Sequence, residues 1–192
     1  MSAAPADLPI LEPPSAVEWR AWLEANAATS SGVWLAVGKK GATRPTVSYE
    51  EAVEEALCFG WIDSVVNRLD GERFKQLFTP RKPGGTWSRS NKERVARLIA
   101  EGRMAPAGLA AIEAAKANGS WNSLDEVEAL VVPGDLAEAL ATTPGSERGF
   151  AGLTESQRKM TLYWISSAKR ADTRARRITK TAESAREGMM PF

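Results

Sequence analysis

Histidine is absent from all 192 residues. That removes the Ser-His-Asp triad, the Cys-His dyad and every His-ligated metal site. Cysteine is nearly absent too. Cys58 alone gives no intrachain disulfide and no thiolate zinc cluster, and a reducing cytoplasm becomes the default compartment. No apolar run reaches the roughly 18 residues that a spanning helix needs, so membrane insertion is not expected. The opening MSAAPADLPILEPPS has no charged n-region and no long apolar core, so it does not read as a signal peptide. Rich in Pro and Ala, it reads as a flexible tail over residues 1–14. A net charge of +1 argues against strong nucleic-acid binding driven by electrostatics. Chemistry is left to Asp, Glu, Lys, Arg, Tyr, Ser and Thr. No catalytic residue, metal or cofactor is assigned.

What the chain does have is concentrated in residues 59–91, FGWIDSVVNRLDGERFKQLFTPRKPGGTWSRSN. Two strand-like runs flank Asp70-Gly71, a dipeptide that favours a two-residue type I′ hairpin turn. Counting back from it pairs Leu69 with Glu72, Asn67 with Phe74, Val65 with Gln76 and Asp63 with Phe78. Period-2 alternation then puts Trp61, Asp63, Val65, Asn67, Phe74, Gln76 and Phe78 on one face. The Pro- and Gly-broken stretch 79–85 reads as a loop, and helix resumes near Trp87 or Ser88. A further short strand is expected at residues 33–37, bounded by glycines and covered on both sides.

Elsewhere the pattern is helical. Ser15 with Glu18, Ser48 with Glu51, and Thr154 with Gln157 are capping boxes. Gly60 and Asn118-Gly119 are stops. Helical spacing places Ile99, Leu109, Met160 and Ala175 inward with their neighbours. Glu50, Glu51, Glu54 and Glu55 read as a solvated face. The fold expected is α+β: a small antiparallel sheet (residues 33–37, 61–69 and 72–79) packed on helices, with a mainly helical C-terminal part at about 134–188. Residues 15–192 are expected to form a single domain.

Asp63 sits on an aromatic face, where a carboxylate must be paired or lose its charge, and Arg81 is the nearest cation. The candidate ligand-binding set is Trp61, Asp63, Arg81, Lys82, Trp87, Ser88, Asn91, Arg174 and Arg177. Arg81 and Lys82 supply charge, Trp61 and Trp87 supply stacking surface, and Ser88 and Asn91 supply hydrogen bonds. Arg174 and Arg177 belong to a second basic stretch, Arg158 to Lys180, in which Asp172 is the lone acid. The alternative for the first set is a satisfied internal network of Asp63, Arg81, Trp87 and Asn91. Cys58 reads as a small core residue.

The segments WLAVGKKG, YEEAVEEALCFGWIDS, FTPRKPGGTWSRSNKERVARLIAEGRMAPAG and WISSAKRADTRARRI resemble the YdeI/OmpD-associated (bacteriocin-protection) family, over residues 15–188 in the family's order. Ser64 and Gly85 stand where that family commonly has Gly and Ser. The resemblance implies a role in stress or envelope protection and an association with an outer-membrane porin. It implies no defined reaction. The reading taken from the sequence is a binding or interaction module for a small anionic ligand or an acidic protein partner. Two alternatives stand beside it: a histidine-free, metal-free enzyme with Asp63 as general base and Arg81 steadying a developing anion, and a weak, non-specific nucleic-acid binder.

Overall fold

The structure is a computed structural model that describes residues 8–192. Where the sequence suggested one domain over residues 15–192, contacts cluster into two compact units, the first ending at Asn122 and the second comprising Ser123–Phe192. Of the tail expected at 1–14, residues 1–7 lie outside the described residues. Ile10–Leu11 forms a short strand, β1.

The first unit is α+β. Its sheet holds β1, β2 (Val33–Gly38), β3 (Trp61–Arg68) and β4 (Arg73–Pro80) in the order β1-β2-β4-β3. β1 pairs with β2 in parallel, and the other pairs are antiparallel. The sheet is therefore mixed. Residues 33–37 of β2 are all buried, as the unalternating apolar run requires of a central strand. Helices α1 (Ala16–Asn26), α2 (Tyr49–Cys58), α3 (Arg89–Ala100) and α4 (Pro106–Ala117) complete the unit. Ser15, Ser48 and Ser88 cap the first three, with a reciprocal capping box at Ser48 and Glu51. The core gathers Trp19, Leu23, Leu35, Leu57, Trp61, Phe78, Trp87 and Leu98. Burying an indole demands an acceptor for its N–H. Trp19 Nε1 donates to the Ala52 carbonyl at 3.0 Å and Trp61 Nε1 to that of Ala27 at 3.3 Å. Gly60, at φ +73°, turns the chain from α2 into β3 in a conformation that L-residues with a Cβ resist.

The hairpin departs from the expected register. Asp63 does face Phe78, but Val66, not Val65, faces Gln76, and Arg68, not Asn67, faces Phe74. The cause lies in the turn. Neither Asp70 nor Gly71 has a positive φ, which a type I′ turn requires at both. Instead the Asp70 carboxylate accepts from the backbone N–H of Glu72 at 2.9 Å and of Arg73 at 2.8 Å, and it clasps the Arg73 guanidinium. This side-chain-built turn is wider by one residue. A bulge between Asp63 and Val66, with the extra residue on β3, restores the register beyond it. Past the bulge, Val65 and Val66 are exposed.

The second unit is all-helical: α5 (Asp125–Glu128), α6 (Gly134–Thr142), α7 (Ser146–Gly152), α8 (Glu155–Ser166) and α9 (Ala171–Ala185). Its core holds Leu136, Leu140, Phe150, Leu162, Ile165, Ile178, Ala182 and Ala185. Gly149 lets α7 meet α9, since a Cβ there would lie 1.6 Å from the Ala185 carbonyl oxygen. Leu130 follows α5 at φ 56°. Its N–H donates to the Val127 carbonyl and that of Val131 to the Glu126 carbonyl, which is a Schellman ending with leucine where glycine is usual. The Cβ makes that conformation costlier by roughly 1–2 kcal/mol.

Ile99, Leu109, Met160 and Ala175 prove exposed, against the inward placement expected. The first three each lie one residue, about 100° around the helix, off the buried positions Leu98, Gly108 and Thr161. On α9 the buried stripe begins only at Ile178.

Candidate functional site

Seven of the candidate residues lie in the first unit. Trp61 is buried beneath the sheet, with its ring edge-on to Trp22 at 5.8 Å. Asp63 is half-buried and takes its hydrogen bond from the Tyr49 hydroxyl, at 2.9 Å on Oδ2. Burial, and then that bond, push the Tyr49 hydroxyl up to about 12. No ion pair joins Asp63 to Arg81 among the described residues, and the expected pairing is corrected accordingly. Two features separate them. Tyr49 satisfies the carboxylate from α2, and the Arg81 guanidinium stacks on a tryptophan.

The Arg81 guanidinium lies 3.5 Å from the Trp87 ring centroid. Its Nη1 donates to the Thr86 carbonyl at 3.2 Å, while buried Nε and Nη2 have no hydrogen-bond partner among the described residues. Burial pulls its pKa down to about 10, and the charge of Asp63 acting at a distance opposes that fall. Stacking returns part of the desolvation cost, about 0.5–2 kcal/mol for such a contact. Lys82 is exposed. Ser88 is committed to capping α3, accepting from the Asn91 N–H at 3.3 Å. The Asn91 side chain accepts from Arg94 at 3.3 Å. The expected internal network of Asp63, Arg81, Trp87 and Asn91 therefore exists only in pieces, with Tyr49 and Arg94 as the direct partners.

In the second unit, Arg174 is committed to Asp135 through two bonds, Nε at 2.7 Å and Nη2 at 2.9 Å. Arg177 donates to the Trp164 carbonyl and to Ser167 Oγ, and its guanidinium lies 4.9 Å from the Trp164 ring centroid. Beside it opens a cavity of about 310 Å³ lined by Trp164, Thr173, Arg176, Arg177 and Lys180. Three cations, one indole and no carboxylate face that space. Arg176 and Lys180 make no hydrogen bond among the described residues, and Asp172 touches Arg176 only as a charge at a distance. Spacing explains the grouping. Residues 173, 176, 177 and 180 fall at i, i+3, i+4 and i+7 on α9.

Residues 11–111 match the family described as Domain of unknown function (DUF8412). Residues 129–188 match the family described as Bacteriocin-protection, YdeI or OmpD-Associated. The chain belongs to the first family and carries a domain of the second. The resemblance read over residues 15–188 thus resolves into two families, and the YdeI/OmpD-associated match is confined to the helical unit. Neither a curated protein nor a solved structure matches the chain. All five residues around the Trp164 cavity fall inside the YdeI/OmpD-associated domain, whereas Arg81 and its neighbours fall inside the DUF8412 domain.

Two groups escaped the sequence reading. In the DUF8412 domain, Glu55 is buried and accepts from Arg103 at 2.6 Å and Arg20 at 2.8 Å. Glu54 binds Arg97 and Arg103. Part of the acidic run is therefore an internal clamp and not a solvated face. Although burial opposes it, bonding to Glu55 keeps Arg103 above the ordinary arginine value. Spacing offered no signal, since Arg97 lies 43 residues from Glu54 and Arg103 lies 48 from Glu55, beyond the end of α3. In the YdeI/OmpD-associated domain, Arg176 was overlooked, and Lys180 was read as flanking the apolar face but not placed in the candidate set with Arg174 and Arg177. Asp135, 39 residues away in sequence, could not be assigned to Arg174 by spacing. No group of three or more acidic or thiol side chains poised for a metal ion occurs among the described residues.

Proposed function

We propose that this chain is a binding module of the bacteriocin-protection type, acting in the cytoplasm, whose YdeI/OmpD-associated domain takes an anionic ligand or an acidic partner at the Trp164 cavity. One observation carries this reading: Arg176, Arg177 and Lys180 converge with an indole on one open cavity that holds no carboxylate. Uncompensated cations around a concave surface attract anions, and a neighbouring ring adds stacking surface. Among the described residues Lys180 and Arg176 keep their donors unused, while Arg177 is locked onto Trp164 and so fixes the cavity wall. Stress or envelope protection is the role that the second family's description suggests for such a module. A net charge of +1 favours a compact anion over long nucleic acid.

Titration calorimetry with pyrophosphate, and separately with an acidic peptide, tests this. Binding should weaken with salt and drop at least about tenfold in the Arg176→Ala/Lys180→Ala double variant, whose side chains hold nothing else in place. Equal binding by the variant, or none by the parent, rejects the proposal. The enzyme reading fares worse on geometry. Asp63 is engaged by Tyr49, and Arg81 stacks on Trp87 without reaching it.

A further inference from the structure

The all-helical unit holds a second cavity of about 310 Å³ with a different chemistry. Leu130, Val132, Leu140, Phe150 and Leu162 give it an apolar wall, and Glu147 and Arg158 are the charged residues that face it. These two have opposite charges and line one small space, yet no ion pair joins them, and neither has another side-chain partner among the described residues. Arg158 Nε is buried without an acceptor. Nε itself has no surface open to the cavity, but the Arg158 side chain lines it, and no carboxylate among the described residues compensates its charge there. Leu130 adds a second, independent sign. It occupies a left-handed position that glycine would fill without strain, and its side chain is part of the apolar wall. Backbone strain of this kind persists where the side chain is needed.

From this we infer that the cavity binds a free apolar α-amino acid such as leucine or phenylalanine. Arg158 would take the carboxylate, Glu147 the ammonium, and the wall formed with Leu130 and Phe150 the side chain. Each charge on the cavity then meets its opposite on one compact zwitterion, and the apolar residues meet a side chain of matching character. A simple fatty acid would leave Glu147 beside a like charge, and an amine would leave Arg158 unmet. This site is separate from the Trp164 cavity, and its fate does not depend on that reading.

The test is binding of L-leucine and L-phenylalanine to the full chain, followed by amide chemical shifts. Leucine should perturb residues around 130, 147 and 158. Glycine should not, nor should 4-methylpentanoate or 3-methylbutylamine, each of which lacks one of leucine's two charges, at concentrations that saturate with leucine. Arg158→Met and Glu147→Gln should each weaken leucine binding about tenfold or more, as loss of a charge-assisted bond does. Leu130→Gly is the decisive variant, because it relieves the left-handed strain. The strain relieved offsets the packing that Leu130 loses against the core, so the fold should persist while leucine affinity falls. Absence of leucine binding, equal binding of 4-methylpentanoate, or unchanged affinity in Leu130→Gly or Arg158→Met overturns the assignment.

Discussion

Removing the Glu55 carboxylate should destabilise the DUF8412 domain more than removing any other acid of α2. Glu55 leaves only 7% of its side chain in water and holds two guanidinium groups, Arg103 Nη2 at 2.6 Å and Arg20 Nη1 at 2.8 Å. Breaking a fully buried pair from one side costs about 3–5 kcal/mol, because the partner's charge is stranded. Here the partners are partly wet, with side-chain exposures of 31% for Arg20 and 34% for Arg103, so each can recover some hydration. Glu55→Ala should therefore cost about 2–3 kcal/mol, between the exposed-pair and buried-pair limits. Glu50 is exposed on the same helix, and Glu50→Ala should stay within about 0.5 kcal/mol.

Urea unfolding followed by tryptophan fluorescence reads this unit selectively. Trp19, Trp22, Trp34, Trp61, Trp87 and Trp121 lie in it, and only Trp164 lies in the other. With a slope of about 2 kcal/mol per molar urea, the midpoint should fall by about 1 M. A cycle with Arg103→Ala should return a coupling of about 1–3 kcal/mol, since the two side chains touch. If Glu55→Ala shifts the midpoint no further than Glu50→Ala, the clamp contributes nothing and the reasoning fails.

Gly149→Ala should destabilise the helical unit by about 1–3 kcal/mol or more, because its Cβ meets the Ala185 backbone carbonyl. Gly152→Ala, with open space around it, should be neutral or stabilising by about 0.5–1 kcal/mol; circular-dichroism melts compare the two. Cys58→Ala should cost about 1 kcal/mol of packing and nothing else. Burial pushes the Cys58 thiol up, so native protein should resist iodoacetamide at pH 8, and rapid labelling would contradict this. Stability should fall on acidification. Despite burial, bonding to Arg97 and Arg103 holds Glu54 below the ordinary 4.5, and Arg174 holds Asp135 below the ordinary 3.8. Depressed folded values contribute stability above those pH values and lose it as pH drops through the folded ones, so a melting temperature that holds constant from pH 6 to pH 3 would refute it.

The fold class was legible because its signals are local. Glycine-bounded apolar runs gave β2, and Ser48-Glu51 and Thr154-Gln157 gave helix starts that the structure reproduces as reciprocal caps. The hairpin was legible in part. The Asp70-Gly71 dipeptide marks a turn whatever its type, but the choice between a type I′ turn and a turn built by the aspartate side chain depends on whether a cation comes to hold the carboxylate. Arg73 does so here, itself braced by Glu12 at 2.6 Å, 61 residues away in sequence. The turn that the Asp70 carboxylate builds on Glu72 and Arg73 holds one residue more than a type I′ turn, and the register slips by that one residue.

The same limit explains what happened to the candidate site. Asp63 was correctly placed opposite Phe78, and the need for a partner was correctly inferred from its surroundings. The partner chosen was the nearest cation in sequence, whereas the one used is a hydroxyl on α2, 14 residues upstream, that β3 and α2 bring together through the Gly60 turn. Once Tyr49 satisfies Asp63, Arg81 is free to stack on Trp87, and two of its nitrogens remain buried without acceptors. Pairing a buried charge is a physical requirement that a sequence states; which atom meets it is decided by helix-to-strand packing. Arg81 and Arg158 are the two arginines where that requirement is left unmet among the described residues, and of the two it is Arg158 whose side chain lines an open apolar cavity, where a small ligand's charge can stand opposite its own.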